Sequence, residues 1–222
     1  MNVPGGLWNN PPETKKIHKR TQSHMSILPI YLFGTEVLKK KAKPVETLDD
    51  STVKLIYDMF ETMHKANGIG LAANQVGDLR RVITIDISDV TEPNAEGEME
   101  DSAHPTSPDL PRTFALINPE IVNEEGTFSM EEGCLSLPGV RGEVERAEKV
   151  RIRFRDGEFK KQELSVDGLL ARVVLHEFDH LNGVLFVDRV NKAKRSMLLP
   201  KLRKIRKGEI DPDYPVVTAA KV

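Results

Sequence analysis

Leu175-His176-Glu177-Phe178-Asp179-His180 is the stretch on which the reading of this chain turns. Two histidines four residues apart, the first followed by a glutamate, form an HExxH pattern. On a helix such residues share one face, so both imidazoles can reach a single ion. Residues 169–181 contain neither proline nor glycine, Asp167 stands where an N-cap belongs, and Gly183 stops the run. The spacing therefore predicts a helix that presents two neutral imidazoles to a divalent metal, with Glu177 placed to move protons. The plain alternative is an amphipathic helix with two incidental histidines.

Upstream of that helix, residues 148–155 and 158–165 alternate apolar and polar across Asp156-Gly157, the pattern of a β-hairpin with a type I′ turn. Before the hairpin, Glu132-Gly133-Cys134-Leu135-Ser136 lies between turn-like segments and holds the sole cysteine of the chain. A lone thiol excludes an intramolecular disulfide and points to a reducing compartment and a chemical role. Earlier still, residues 51–66 carry Val53, Ile56, Phe60 and Met63 at helical spacing behind Asp49 and Asp50 as caps. They are followed by Gly68-Ile69-Gly70-Leu71-Ala72-Ala73-Asn74-Gln75. That stretch formally contains a dinucleotide fingerprint, but a helix precedes it where a strand is required, so nucleotide binding is rejected. Its small residues bring backbone close to a neighbouring strand or an extended ligand. Residues 81–88 read as a half-buried strand and 113–117 as its returning partner. Between them, residues 89–110 hold seven acidic residues, three prolines and no lysine or arginine, the composition of a mobile surface loop.

At the two ends, residues 1–25 read as a disordered extension. They carry Gly5-Gly6, Pro11-Pro12 and a basic cluster, with no apolar core of a secretory signal and no clear transit-peptide periodicity; Met25 is an alternative start. Residues 26–33 resemble an edge strand broken by Pro29. Past Gly183, residues 184–187 read as a short strand. Residues 192–207 carry eight basic and no acidic residues, and Pro200 is expected to break or kink any helix there. A solvated basic face is the first reading of that segment, and an RNA or ribosome contact the second. The remainder reads as a tail. The expected organisation is thus an extension over 1–25, one catalytic domain over 26–208 and a tail over 209–222.

The whole chain of 222 residues has a net charge of -2, with 30% charged and 39% hydrophobic residues. This is enough for one domain with a core, too balanced for a general nucleic-acid binder, and without an apolar run long enough to span a membrane. A catalytic metal centre needs a third protein ligand. Downstream of His180 the only glutamate is Glu209, in a basic segment. Upstream stands Cys134, whose thiolate with two imidazoles suits iron(II) or zinc.

The stretches 68–75, 132–136 and 176–180 occur in the same order as in the peptide deformylase family, which this chain resembles from residue 27 to residue 187. Arg146-Ala147-Glu148-Lys149-Val150 and Asp167-Gly168-Leu169-Leu170 are similar to the bacterial members. The resemblance implies an α+β fold, antiparallel sheets packed around a central helix carrying the HExxH motif. It implies removal of the formyl group from the N-terminal formylmethionine of new polypeptides, with release of formate, by a metal-bound water. Cys134, His176 and His180 would bind the metal, natively Fe(II), with Zn, Ni or Co possible in purified protein. Glu177 would serve as general acid and base, and Gln75 and the Leu135 N–H would steady the oxyanion. Ile69, Gly70, Gly133, Leu169, Arg172 and Val173 would bind substrate, with Arg172 at the rim and its guanidinium in solvent. The partners implied are formylmethionyl N-termini and, through the basic segment, the ribosome, for a cytoplasmic monomer without a membrane. Leu175 replaces the glutamine usual in the family. Two other readings share HExxH: a metallopeptidase, and a relative that keeps the metal as a staple or binds formylated chains without cleaving them.

Overall fold

A computed structural model describes residues 26–90, 92–93, 99–100 and 112–220. The expected N-terminal extension lies outside these residues, as does most of the acidic loop 89–110. Strand β1 (Ile30–Tyr31) is followed by helix α1 (Asp50–Lys65), β2 (Gly70–Ala72) and β3 (Val82–Asp86). Next come β4 (Glu92–Pro93) and β5 (Met99–Glu100), which pair antiparallel, then β6 (Thr113–Glu125), β7 (Phe128–Gly133) and β8 (Arg141–Arg146). The chain continues through β9 (Lys149–Arg155), β10 (Lys161–Asp167), α2 (Gly168–Leu181), α3 (Phe186–Arg189), α4 (Lys192–Lys207) and β11 (Val216–Val217). The fold is α+β, with an antiparallel five-stranded sheet in the order β10-β9-β6-β3-β2 and a separate β7–β8 hairpin.

The sheet is buried on both faces where β3 and β6 run through it. A strand alternates its side chains with period two. Ile83 and Ile85 of β3 and Phe114 and Leu116 of β6 thus share one face with Ala171 and Val174 of α2. Val82, Ala115 and Ile117 point the other way, onto Ile56, Met59 and Met63 of α1. The expectation of a half-buried strand at 81–88 is corrected: a helix covers each face, so four of its five residues are buried. Helix α1 starts as its sequence predicts, with the Asp49 carboxylate accepting from the Thr52 N–H at 2.8 Å.

Helix α2 follows β10 with no intervening loop. Gly168 makes this possible with φ 55°, a left-handed conformation that a side chain would disfavour, and its N–H donates to Glu148 O at 3.1 Å. Asp167 occupies the N-cap position but makes no side-chain capping bond. The β9–β10 hairpin is present, though its turn differs from expectation. Five residues, 156–160, connect the strands, and the left-handed position is Phe159, not Gly157. The buried Asp156 carboxylate organises that turn by accepting from the N–H groups of Glu158 and Lys160, each at 2.9 Å.

Three expectations about the C-terminal part are overturned. Residues 184–187 are not a strand; the chain winds into α3 because Asp188 accepts from Leu185 N–H at 3.1 Å and pairs with Lys39 and Arg195. Pro200 does not divide residues 192–207, which form one helix. An internal proline costs about 3 kcal/mol, and burial of Leu202 and Ile205 beyond it opposes that cost. Residues 209–222 are not simply a tail, since Val216–Val217 form β11, paired in parallel with β1.

Candidate metal centre and active-site cleft

The loop between β7 and β8 begins at Cys134, and α2 brings up His176 and His180 one turn apart. Cys134 Sγ lies 3.2 Å from His180 Nε2, and the two Nε2 atoms lie 3.3 Å apart. All three donor atoms fall within 4.8 Å of one another. Two imidazole nitrogens bound to one tetrahedral ion stand about 3.3 Å apart, given metal–nitrogen bonds of roughly 2.0–2.1 Å. The donor set therefore fits a first-row divalent ion, and one thiolate with two imidazoles is the chemistry of iron(II) or zinc sites.

Each ligand is held by a different kind of support. His176 Nδ1 donates to Glu132 Oε2 at 2.8 Å, which turns its Nε2 lone pair toward the centre. His180 is fully buried; its carbonyl accepts from Asn74 Nδ2, and its Nδ1 has no hydrogen-bond partner among the described residues. Gln75 lies over the thiol. Its Oε1 accepts from the Ala72 N–H at 2.8 Å, and its Nε2 is 3.6 Å from Cys134 Sγ and 3.3 Å from Ser136 Oγ.

Glu177 is 4% exposed, and Oε2 of its carboxyl lacks a partner among the described residues. Burial pushes this carboxyl up to about 7, against the opposing influence of His176 and Arg146. A buried acid poised near neutrality suits proton transfer in either direction. Gly70 makes its position possible: a Cβ there would stand 2.6 Å from Glu177 Oε1 and 2.9 Å from Val173 Cγ1. The glycine noted in the sequence as a close backbone approach thus makes room for the acid–base group.

Behind the ligands lies an ion network that sequence reading did not include in the site. Burial opposes ionisation of Glu132, but hydrogen bonds from His176 and Arg146 hold its carboxyl well below the usual carboxylate range. Arg146 Nε donates to Glu132 Oε1 at 2.6 Å and Arg146 Nη1 to Asp179 Oδ2 at 2.7 Å. Arg189 completes the network on Asp179.

The cleft that opens over this centre has a volume of about 650 Å³. It is lined by Ile69, Gly70, Gln75, Gly133, Cys134, Leu135, Leu169, Arg172, Val173, His176 and Glu177, among others. Of the expected site residues, His180 alone lies behind that surface. The arrangement combines a Cys–His–His trio that could hold a metal ion, a buried carboxyl beside it and a partly apolar groove. Residues 27–196 match the family model described as Polypeptide deformylase.

The chain belongs to the polypeptide deformylase family.

Members of this family are metal-dependent hydrolases. A peptide deformylase of Salinibacter ruber is 46% identical over 194 residues, 86% of this chain and 95% of the relative. Among solved structures, a peptide deformylase from Legionella pneumophila shares 41% identity with a TM-score of 0.69, over 83% of this chain and 98% of that one. Another, from Synechococcus elongatus in complex with actinonin, shares 40% identity with a TM-score of 0.66, over 86% and 92% of the two chains.

For this deformylase-family chain the expected role of Arg172 is corrected. Its side chain is 6% exposed, so the guanidinium is not at a solvent-facing rim. Arg172 Nη1 donates to Glu132 Oε1 at 3.0 Å and to Val144 O at 2.9 Å, and Nη2 donates to Phe128 O. The desolvated Glu132 carboxylate needs cationic partners, and Arg172 is one turn from His176 on the face that reaches it. Glu132 had a signal in the sequence: it stands two residues before the lone cysteine. Arg146 and Asp179 lie in stretches the sequence singles out, but nothing local shows that their side chains meet, and nothing local distinguishes Tyr214 at all.

Proposed function

We propose that the chain removes the formyl group from the N-terminal formylmethionine of newly made polypeptides. The observation that carries this reading is the convergence of the Cys134, His176 and His180 donor atoms beside the partnerless, buried carboxyl of Glu177. In this reading α2 is the central element of the catalytic domain, as the HExxH pattern implies.

Cys134, His176 and His180 would hold the ion, Fe(II) natively, with zinc, nickel or cobalt able to replace it. Such an ion supplies Lewis acidity and lowers the pKa of water toward about 7. Glu177 takes a proton from the attacking water and returns it to the departing amine. Gln75 Nε2 and the Leu135 N–H donate to the oxygen on which charge develops; one such donor is typically worth about 100-fold or more in rate. Among the described residues the Leu135 N–H donates to no backbone acceptor, which leaves it available. Glu132 keeps the His176 ring in the tautomer that ligates. Gly70 and Gly133 leave room for substrate backbone, while Ile69, Leu169 and Val173 form the apolar slot for the methionine side chain. An apolar methylene is worth roughly 1 kcal/mol, so formyl-Met peptides are expected to outrun formyl-Ala peptides by tens of fold.

The exposed basic face of α4 is offered as the ribosome contact of a cytoplasmic monomer. Among the described residues, no helix is long and apolar enough to cross a membrane. The deciding experiment purifies the full chain anaerobically, measures its metal, and assays formate release from formyl-Met-Ala-Ser beside cleavage of unformylated peptides. Formate release with one metal per chain is expected. Peptide-bond cleavage without formate would establish a metallopeptidase, and binding without either product a non-enzymatic relative.

A further inference from the structure

We propose that Tyr214 is a positioning residue of the active site. Its hydroxyl, brought back by the chain beyond the basic helix, fixes the Leu135 peptide and with it the turn that carries both the thiol ligand and the oxyanion donor. This inference rests on the deformylase reading for what the turn does, and on the geometry of the turn for how it is held.

The segment after α4 returns to the cleft and contributes to its lining. Gly208 ends the helix, and Val217 O accepts from the Leu32 N–H at 2.9 Å where β11 runs beside β1. Between them, Pro212, Asp213 and Tyr214 line the same cleft as Cys134 and Glu177. The Tyr214 hydroxyl donates to Leu135 O at 2.8 Å, and its ring packs in the apolar cluster that also contains Cys134, Leu135 and Leu137. Burial, and then the neighbouring Cys134, push this hydroxyl up to about 12, so it remains a protonated donor at working pH.

The backbone of the turn explains why this bond matters. Residues 134–137 lie outside any helix or strand, so their carbonyls need partners from elsewhere. Cys134 O accepts from the Leu137 N–H at 2.9 Å, within the turn. Ser136 O accepts from the Phe33 N–H at 2.9 Å, just past β1. Leu135 O accepts from Tyr214, just before β11. Leu137 O accepts from the Val140 N–H at 3.1 Å, so of the four carbonyls those of Leu135 and Ser136 are held from residues flanking the paired strands β11 and β1. The Leu135 N–H shares its peptide with Cys134 O, which Leu137 holds, and the bond from Tyr214 fixes the next peptide, so the two bonds together set the backbone on both sides of Leu135. Removing the Tyr214 hydroxyl leaves the ring packing in place and frees the Leu135–Ser136 peptide, which loosens the turn that carries the Leu135 N–H.

The test compares the full chain with Tyr214→Phe and Tyr214→Ala, each loaded with nickel and checked for metal content. The readouts are kcat and KM on formyl-Met-Ala-Ser, and amide hydrogen exchange at Leu137 and along α1. For Tyr214→Phe, full metal occupancy is expected, with kcat lowered about 3- to 10-fold, the worth of one neutral hydrogen bond. KM should stay within about twofold, since the donor acts on charge that develops after binding. Exchange at Leu137 should quicken while α1 stays protected, which separates a local loosening from general destabilisation. If Tyr214→Ala does not fold, Tyr214→Phe decides alone. Unchanged kcat and unchanged Leu137 exchange in Tyr214→Phe would overturn the inference, as would a loss confined to KM. A parent chain that releases no formate would sink the proposed function instead, and Leu137 exchange would still report whether Tyr214 holds the turn.

Discussion

Helix α2 and the turn at residues 134–137 deliver ligands to one centre, yet only the helix is held by its own backbone. In α2 the i, i+4 repeat places His176 and His180 on one face, and every turn of main-chain hydrogen bonds keeps them there. The turn has one internal bond, from Leu137 N–H to Cys134 O, and depends for the rest on Phe33, Gln75, Val140 and Tyr214. The helix is therefore expected to keep its geometry when a single contact is lost, and the turn is not. A preorganised centre needs both, because a ligand held loosely costs affinity even when its chemistry is right.

Removing ligand chemistry from the turn tests this contrast most severely. Cys134→Ala is expected to lose metal and turnover together while α2 stays folded, with metal content and far-ultraviolet circular dichroism as the readouts. Tight stoichiometric metal in that variant would show that the helix alone suffices. On the helix side, Glu177→Gln should retain full metal and lose turnover by about 100- to 10,000-fold, the range of a lost general acid–base group. Turnover within a few-fold of the parent, at full occupancy, would remove Glu177 from the proton path.

Glu132→Gln probes the link between the two regions, since Glu132 sits on β7 just before the turn and grips the helix through His176. Metal affinity should fall about 10- to 100-fold, and stability by about 3–5 kcal/mol because Arg146 and Arg172 lose a buried partner. Competition with a chelator and denaturant unfolding measure the two effects. A variant as stable and as metal-avid as the parent would mean the network is ornamental.

The smallest effect is one of pH. In the metal-free chain burial pulls the His176 imidazole down, but Cys134 and Glu132 outweigh it and push it up to about 10. Below that pH the ring holds a proton that a metal ion must displace. Affinity should therefore rise as pH rises, by about tenfold per unit for one proton released, and fall on acidification. Zinc titrations from about pH 6 to 8 read the slope, and a flat line would show that no proton leaves His176.

The comparison also marks where local reading ended. The spacing of His176 and His180, the cap of α1 and the strands β9 and β10 were legible because each follows from a period or a capping residue within a dozen positions; the turn between those strands was not, since Phe159 and not Gly157 is its left-handed residue. Arg172 was misplaced because a long side chain on the correct face has two destinations, solvent or a buried carboxylate. Only the position of Glu132 on a neighbouring strand decides between them. Pro200 was misread for a related reason: its local cost is real, but the anchoring of Leu202 and Ile205 in the core is invisible from sequence.

By itself the amino-acid sequence determined the two histidines and their spacing on α2, the Glu177 carboxyl beside them, and a resemblance that placed Cys134 with them. These follow from chemistry carried by adjacent residues, which survives whatever the rest of the chain does. The tertiary structure alone decided that Gly70 clears space for Glu177, that Glu132 is buried among Arg146, Arg172 and His176, and that Tyr214 returns to the turn. Each of these joins segments tens of residues apart. Closing such loops costs entropy that only the packed core repays, so no short window of sequence contains the outcome.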